Sequence, residues 1–254
     1  MSSKPQRILA VDIGGSKLKI LATGETEPRK AKTGGKFTPE DMVEEVKTLA
    51  KGWKYDAVSV GLPAQVGEHG PIAEPGNLGP GWVGFDYAAA FHCPVRLIND
   101  AAMQALGSYD GGRMLFIGLG TGVGSALIAD HVLITLELGD LHFEEGSVSD
   151  ILGRKALEKN GKKEWRKAVF GLVPHLQKAF LADYVMLGGG NAKHIGRKLP
   201  AGVRVGNNLT AFRGGYRLWG IDDVPTLKAN GKSRANVSSG AQAAGWRLLS
   251  RSSR

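Results

Sequence analysis

A chain of 254 residues, 42% apolar and 22% charged, is long enough to bury one large domain or two lobes, and no apolar run in it approaches the ~20 residues that span a bilayer. A single cysteine, Cys93, excludes a disulfide framework within the chain and a multi-thiolate zinc site, and reads as a small buried hydrophobe. The net charge of +9 is uneven: residues 1–150 hold 13 Lys and Arg against 19 Asp and Glu, and residues 151–254 hold 20 against 5. The basic half suits an anionic partner or is a solvated face.

Met1 to Arg7 carry no apolar signal core, so the expected compartment is the cytoplasm. Ile8 to Val11 then reads as a buried strand. It runs into the glycine-rich turn Gly14-Gly15-Ser16 and returns through a second β-like run, Leu18 to Ala22. Such a hairpin lets backbone N–H groups approach phosphate oxygens, because glycine permits both the φ angles and the closeness. Thr38-Pro39-Glu40-Asp41 has the signature of a helix N-terminus, and Met42, Val43, Val46, Leu49 and Ala50 follow on one helical face. Asp56 to Val60 is the next strand. Tyr87 to Phe91 reads as a helix, broken by Cys93-Pro94. Val95 to Ile98 is a strand that delivers Asn99-Asp100 at its C-terminal end, with a short helix from Asp100 through Leu106.

Arg113 to Thr135 is β-rich. Within it a second glycine turn, Gly118-Leu119-Gly120-Thr121-Gly122-Val123-Gly124, separates the runs Met114 to Ile117 and Ala126 to Ala129. The two hairpins look like weak copies of each other, as duplicated halves would. Asp150 to Asn160 and Lys162 to Leu181 read as helices broken at Gly161. Ala182 to Leu187 is a strand ending in Gly188-Gly189-Gly190, and Asn191 to Leu199 reads as a helix. After Gly220 the pattern dissolves. Residues 221–254 read as a basic, poorly ordered extension in which Ala241 to Leu249 has the composition of a short helix. Strands followed by helices, twice over, predict an α/β architecture with a mixed sheet in each half. Residues 1–110 form the first lobe and 111–220 the second.

Two phosphate-clamping turns around a carboxylate at a strand end point to phosphoryl transfer onto a hydroxyl. Asp100 is the candidate proton acceptor; the same residue also reads as a helix N-cap, and the two roles are compatible. Lys19 reads equally as a phosphate neighbour and as a solvated lysine on a strand.

Six motifs in order resemble the ROK family of sugar kinases, in the actin/hexokinase superfamily. They are Asp12-Ile13-Gly14-Gly15-Ser16 with Lys19; Gly61-Leu62-Pro63 with Asn77-Leu78-Gly79-Pro80-Gly81-Trp82; Asn99-Asp100-Ala101; Gly120-Thr121-Gly122-Val123-Gly124; Glu137-Leu138-Gly139; and Gly188-Gly189-Gly190. The resemblance covers Ile8 to Gly220 and implies a two-lobed ribonuclease-H-like fold with mixed sheets and the sugar in the cleft. It implies phosphoryl transfer from ATP or polyphosphate to a hexose, most simply the 6-hydroxyl of glucose. Asp100 would be catalytic. Asp12, Gly14, Gly15, Ser16, Lys19, Gly120, Thr121, Gly122, Gly188, Gly189 and Gly190 would be on the phosphate and nucleotide side. Asn77, Asn99, Asp100, Glu137 and Asp140 would be on the sugar side. Mg²⁺ is the implied cofactor, with Asp12 as its ligand, directly or through water; the other reading of Asp12 is a carboxylate closing a hairpin turn.

Two departures stand out. The family's His after Glu-Leu-Gly is Asp140 here, which accepts hydrogen bonds from hydroxyls but donates none when ionised. His142 would replace it if both lay on one strand face. A Cys-rich zinc motif found in many members is missing, so no zinc is expected, and the compact chain looks more like the polyphosphate-glucokinase branch. Trp82 reads as packing or as a platform for sugar. Lys155, Lys159, Lys162, Lys163, Arg166 and Lys167 form a basic run that either guides a polyphosphate chain or is solvated. The competing classes are a non-catalytic or altered-specificity sugar- or phosphate-binding relative, suggested by Asp140, and a DNA-binding regulator. The latter needs a domain ahead of Asp12, which lies too near the first residue. Nucleic acid is disfavoured because the basic half has few aromatics for base stacking. The partners expected are therefore the sugar and the phosphoryl donor, with no membrane, and a homodimer is left open.

Overall fold

The computed structural model describes residues 6–143, 146–207, 209–223, 225 and 246–249. The first half contains β1 (Ile8–Ile13), β2 (Lys17–Ala22), β3 (Arg29–Lys32), α1 (Pro39–Leu49), β4 (Ala57–Leu62), the small hairpin β5 (Val66–Gly67) and β6 (Gly70–Pro71), α2 (Tyr87–Phe91), β7 (Val95–Asn99) and α3 (Asp100–Ser108). The second half contains β8 (Met114–Leu119), β9 (Val123–Ala129), β10 (Val132–Leu136), β11 (His142–Phe143), β12 (Gly146–Ser147), α4 (Val148–Leu152), α5 (Arg154–Ala179), β13 (Tyr184–Gly188), β14 (Val203–Val205), α6 (Thr210–Arg217) and β15 (Arg247–Leu249).

The two main sheets repeat one plan. In the first the order is β3-β2-β1-β4-β7, with β1 and β2 antiparallel and β4 and β7 parallel to β1. In the second, β10-β9-β8-β13-β14 follows the same order and the same pattern of directions, and β15 adds to the outer edge of β10. This is the two-lobed mixed α/β arrangement the sequence predicts. Both glycine turns, Asp100 and the Gly188–Gly190 run leave the C-terminal ends of β1, β8, β7 and β13. Open α/β sheets bind ligands at those ends.

The layers follow from which faces are apolar. One face of the first sheet packs on α1 and α2 through Leu9, Val11, Met42, Val46 and Phe91. α1 starts with a capping box in which the Thr38 hydroxyl accepts from the Asp41 N–H and Asp41 answers to the Thr38 N–H, worth about 1 kcal/mol. One face of the second sheet packs on α4 and α5 through Leu115, Ile117, Trp165 and Val169. The helix break foreseen at Gly161 is there, at φ 74°, and a second break at Gly153 separates α4 from α5.

Between the sheets lie α3 and α6. A Cβ on Gly107 of α3 or on Gly214 of α6 would overlap the backbone of the other helix, so these two positions set the close approach. α6 was not anticipated from the sequence. It docks Phe212 and Tyr216 onto Ile8, Ala10 and Leu21 of the first sheet. The Ser59 hydroxyl donates to the Gly215 carbonyl at 2.7 Å, and the Tyr216 hydroxyl to the Leu21 carbonyl at 3.2 Å. Thr210–Arg217, within the stretch assigned to the second lobe, thus packs on the first sheet.

Two expectations are corrected. Asn191 to Leu199 is not a helix: only Ala192–His194 form a single 3₁₀ turn, and Gly196, at φ +87°, ends it. Arg247–Leu249 is a strand rather than the end of a helix, because β10 offers it an open sheet edge. Leu138–Asp140 form a 3₁₀ turn. The remainder of the expected helix, residues 241–245, lies outside the described residues.

Candidate active site

The junction of β7 and α3 places Asp100. Asn99, not Asp100, caps the helix: its Oδ1 accepts from the Ala102 N–H at 3.1 Å and its Nδ2 donates to the Ala64 carbonyl at 3.2 Å. The N-cap alternative for Asp100 therefore falls to its neighbour, and the Asn99 amide expected to hold a sugar hydroxyl is engaged with backbone. Asp100 becomes the first helical residue, and its Oδ1 accepts the adjacent Ala101 N–H at 2.8 Å. Burial, then the Asp12 carboxylate, push the Asp100 carboxyl up to about 7; the Ala101 N–H pulls it down, and Glu137 adds a further upward push. Asp12 and Glu137 thus lie near enough to act on Asp100 electrostatically.

Asp12 lies at the end of β1 and is 5% exposed. Across the hairpin, in direct register, Lys19 Nζ meets Asp12 Oδ2 at 2.9 Å. Lys19 thus partners Asp12. The turn itself is closed by the Gly14 N–H, which donates to the Lys17 carbonyl at 2.9 Å, while Thr33 Oγ1 donates to the Gly14 carbonyl at 2.7 Å. The second turn closes in the same way, Gly120 N–H to the Gly122 carbonyl at 3.0 Å. The N–H groups of Gly14 and Gly120, expected to reach phosphate, are used within their own hairpins. Ser16, Thr121 and Gly122 stand exposed at the tips. Gly15 faces Asn77: a Cβ there would overlap the Asn77 amide. Asn77 is therefore placed over the first turn.

The second turn is braced from behind. Gly189, at φ +80°, backs onto Leu119, where a Cβ would stand 2.5 Å from the carbonyl oxygen. Asn191 Nδ2 donates to the Gly120 carbonyl at 3.0 Å, and Gln104 Oε1 accepts the Gly189 N–H at 3.3 Å. Ser149 Oγ accepts the Val123 N–H at 3.2 Å. Gln104 sits one helical turn after Asp100, so α3 ties the carboxyl to the Gly188–Gly190 run. Sequence reasoning missed Gln104, Asn191 and Ser149. The only signals were the i,i+4 spacing from Asp100 and the position next to Gly190.

Glu137 follows β10 and lines a cavity of about 370 Å³ that Gln65, Ile72, Asn99, Ile134 and Leu249 also line. Burial, then Asp140, raise its carboxyl above the usual range, against the opposing hydrogen bond from Gln65. Asp140 itself is exposed on the 3₁₀ turn, and His142 is exposed in β11, so the shared strand face that would have let His142 replace the family's His does not exist. Trp82 is fully buried with its Nε1 donating to the Gly79 carbonyl at 2.7 Å, which makes it packing rather than a platform for sugar.

Asp12 fits a divalent cation of the magnesium type, held directly or through water. That ion takes one or two carboxylates and fills its remaining positions with water and substrate phosphate, and among the described residues no group of three or more His, Cys, Asp or Glu forms an all-protein cage. Along α5, Lys155, Lys159, Lys162, Lys163 and Lys167 are exposed and Arg166 partly so. Lys167 pairs with Glu164 at 3.0 Å. Slight burial, then Lys162, Lys193 and Arg166, pull His194 below its ordinary value, so positive potential concentrates there. Among the described residues no helix is long and apolar enough to cross a membrane.

The chain is similar to known proteins. The sequence matches the family model described as the ROK family over residues 8–139. A polyphosphate glucokinase of Mycobacterium tuberculosis is 25% identical over 217 residues, covering 75% of this chain and 80% of the relative. A kanosamine kinase of Amycolatopsis mediterranei is 28% identical over 170 residues, covering 58% and 56%. The crystal structure of an inorganic polyphosphate/ATP-glucomannokinase from Arthrobacter sp. strain KM superposes with a TM-score of 0.69 at 23% identity, over 84% of this chain and 96% of that one. A ROK family glucokinase from Streptomyces griseus, in complex with glucose and AMPPNP, superposes with a TM-score of 0.60 at 17% identity, over 84% and 89%. The fold is shared with these structures.

Proposed function

The chain belongs to the ROK family, and from that premise we propose that it is a sugar kinase that moves a phosphoryl group from ATP or polyphosphate to a hexose hydroxyl, with the 6-hydroxyl of glucose as the first candidate. The observation that carries this reading is the Asp100 carboxyl. Asn99 relieves it of capping, and burial with the two neighbouring carboxyl groups pushes it up to about 7. A base whose pKa lies near the working pH is half in the proton-accepting form and takes the hydroxyl proton with little mismatch.

In the proposed reaction the hexose lies in the cavity beside Glu137, Gln65 and Asn99, with its reacting hydroxyl toward Asp100. The oxygen forms a bond to the terminal phosphorus as the bond from phosphorus to the donor's bridging oxygen breaks, and the hydroxyl proton passes to an Asp100 oxygen. Lys19 holds Asp12 in place. Asp12 would hold Mg²⁺, directly or through water, and the ion when bound would neutralise charge on the donor phosphates. The tips of the two glycine hairpins face the donor side, and Gln104, Asn191 and Gly189 keep the second tip in register with Asp100. Asp140, exposed and outside the cavity lining, favours a sugar specificity that departs from the family's usual one. The positive field around His194 favours a long polyanionic donor over a nucleotide with few charges.

The test is a coupled assay on the purified full chain, with a panel of hexoses and with ATP and polyphosphate run side by side in Mg²⁺. Hexose 6-phosphate should form with at least one donor. Folded protein that phosphorylates no hexose with either donor refutes the reading.

A further inference from the structure

The second sheet departs from the plan of the first at one edge. β3 ends the first sheet, whereas its counterpart β10 carries β15 alongside. The added strand is parallel, in the register Val132↔Arg247, Leu133↔Leu248 and Ile134↔Leu249, and the Arg247 N–H donates to the His131 carbonyl at 3.0 Å. Three paired residues are a weak attachment by themselves. Trp246 supplies an anchor: its ring meets Tyr109 edge-on at 5.5 Å and His131 at 4.9 Å, with the Arg217 guanidinium 5.9 Å from its centroid.

Strand alternation then sorts the side chains. Trp246 and Leu248 fall on one face, with Leu133. Leu249 falls on the other, beside its register partner Ile134. That second pair lines the same cavity as Glu137, Gln65 and Asn99, the last being the residue before Asp100. Leu249 is 40% exposed, which leaves apolar surface for a ligand to cover. A hexose offers such a ligand two kinds of surface, a rim of hydroxyls and a patch of C–H bonds on a ring face. The cavity has both kinds of wall. Glu137, Gln65 and Asn99 in its lining are polar, and Ile72, Ile134 and Leu249 are apolar.

We propose that Trp246–Leu249 form a wall of the acceptor cleft and that Leu249 is a specificity-determining residue that packs on the C–H face of the bound hexose. This rests on reading the cavity as the hexose site. Trp246 is a positioning residue, acting through the strand it anchors.

The experiment uses glucose as the probe and reads three quantities in the full chain and its variants: calorimetric glucose affinity without donor, KM against kcat with donor, and hydrogen exchange of the β10 amides. Leu249→Ala should weaken glucose affinity and raise glucose KM about tenfold, with kcat changed far less. Leu249→Met should restore most of the affinity, and Leu249→Trp, which fills the cavity, should abolish binding in a protein that still melts cooperatively. Trp246→Ala, or removal of residues 246–254, should weaken glucose in the same way and increase exchange at Val132 to Ile134. Unchanged exchange on truncation, or glucose affinity within about twofold across all Leu249 variants, overturns the proposal while the kinase reading stands. Wild-type protein that binds glucose with the expected Leu249 dependence but phosphorylates nothing sinks the kinase reading and supports the wall. Wild-type protein that binds no hexose overturns both.

Discussion

Asp100→Asn separates a catalytic base from a structural aspartate, because the two roles give opposite signs for stability. The folded protein holds this carboxyl at about 7 against 3.8 for the free side chain, with burial the largest cause and Asp12 the next. A folded-state pKa above the unfolded value means that the native state keeps a proton the unfolded chain has lost. Stability therefore falls as pH rises from about 4 to about 7, and the penalty is complete above the folded pKa. Taken at face value the shift corresponds to about 4 kcal/mol. Asp100 is partly solvent-exposed, and screening at such a site brings the working figure to roughly 2 kcal/mol. Asparagine keeps the oxygen that accepts the Ala101 N–H and carries no charge. Asp100→Asn should thus melt roughly 5 °C higher than wild type at pH 8 and nearly the same at pH 4. The same variant should lose 10²–10⁴-fold in kcat, within the usual range for removing a general base. In wild type, kcat/KM should rise with pH through about 7 as the base form fills. The assays are thermal melts across pH and initial rates with saturating donor. An Asp100→Asn protein that is less stable at every pH, or that turns over near the wild-type rate, would falsify the assignment.

Three further predictions test other parts of the site. Gly189→Ala forces a side chain into a φ of +80° with its Cβ 2.5 Å from the Leu119 carbonyl oxygen. It should cost about 2 kcal/mol in denaturant titration and raise donor KM more than sugar KM; an equally stable variant with unchanged donor KM would show that the run is not braced against the second turn. Asp222→Asn removes the carboxylate shared by Arg213 and the largely buried Arg217. Burial pushes the Asp222 carboxyl up, but the Arg217 and Arg213 hydrogen bonds outweigh it and leave it at about 2. The stability it adds is present above about pH 4 and is lost as pH falls toward 2, so the variant should be destabilised by about 1–2 kcal/mol at pH 7 and by little at pH 2; a pH-independent difference contradicts the ion-pair account. Replacing Lys162, Lys163, Arg166 and Lys167 together with Gln should weaken polyphosphate use, with a shallower salt dependence, and leave ATP kinetics nearly unchanged. Equal loss with both donors, or no loss, would mean the basic face has no role in donor choice.

Much of the frame was legible in the sequence because it is governed locally. The runs Ile8 to Val11 and Met114 to Ile117, each followed by a glycine turn, form hairpins whose residues are contiguous, and the Val95 strand passes into a helix at Asn99-Asp100. The capping box at Thr38 and the break at Gly161 are also matters of a few neighbouring residues. What tertiary structure alone decided is the set of contacts made across long separations. Gly214-Gly215 lowers the helix propensity of Thr210–Arg217, and only the close approach to Gly107 explains a helix there. Leu249 enters the cavity because β10 leaves a sheet edge open, which composition cannot reveal. Asn99 rather than Asp100 caps α3, a choice of side-chain rotamer at adjacent positions that the residue types allow either way. Gln104 and Asn191 become structural ties only once α3 and the strand β13 lie side by side, 85 and 71 residues from the groups they hold. Residue type and local spacing set which chemistry the chain can offer. Packing of glycine backbones against distant elements decides which of those groups stay free to perform it.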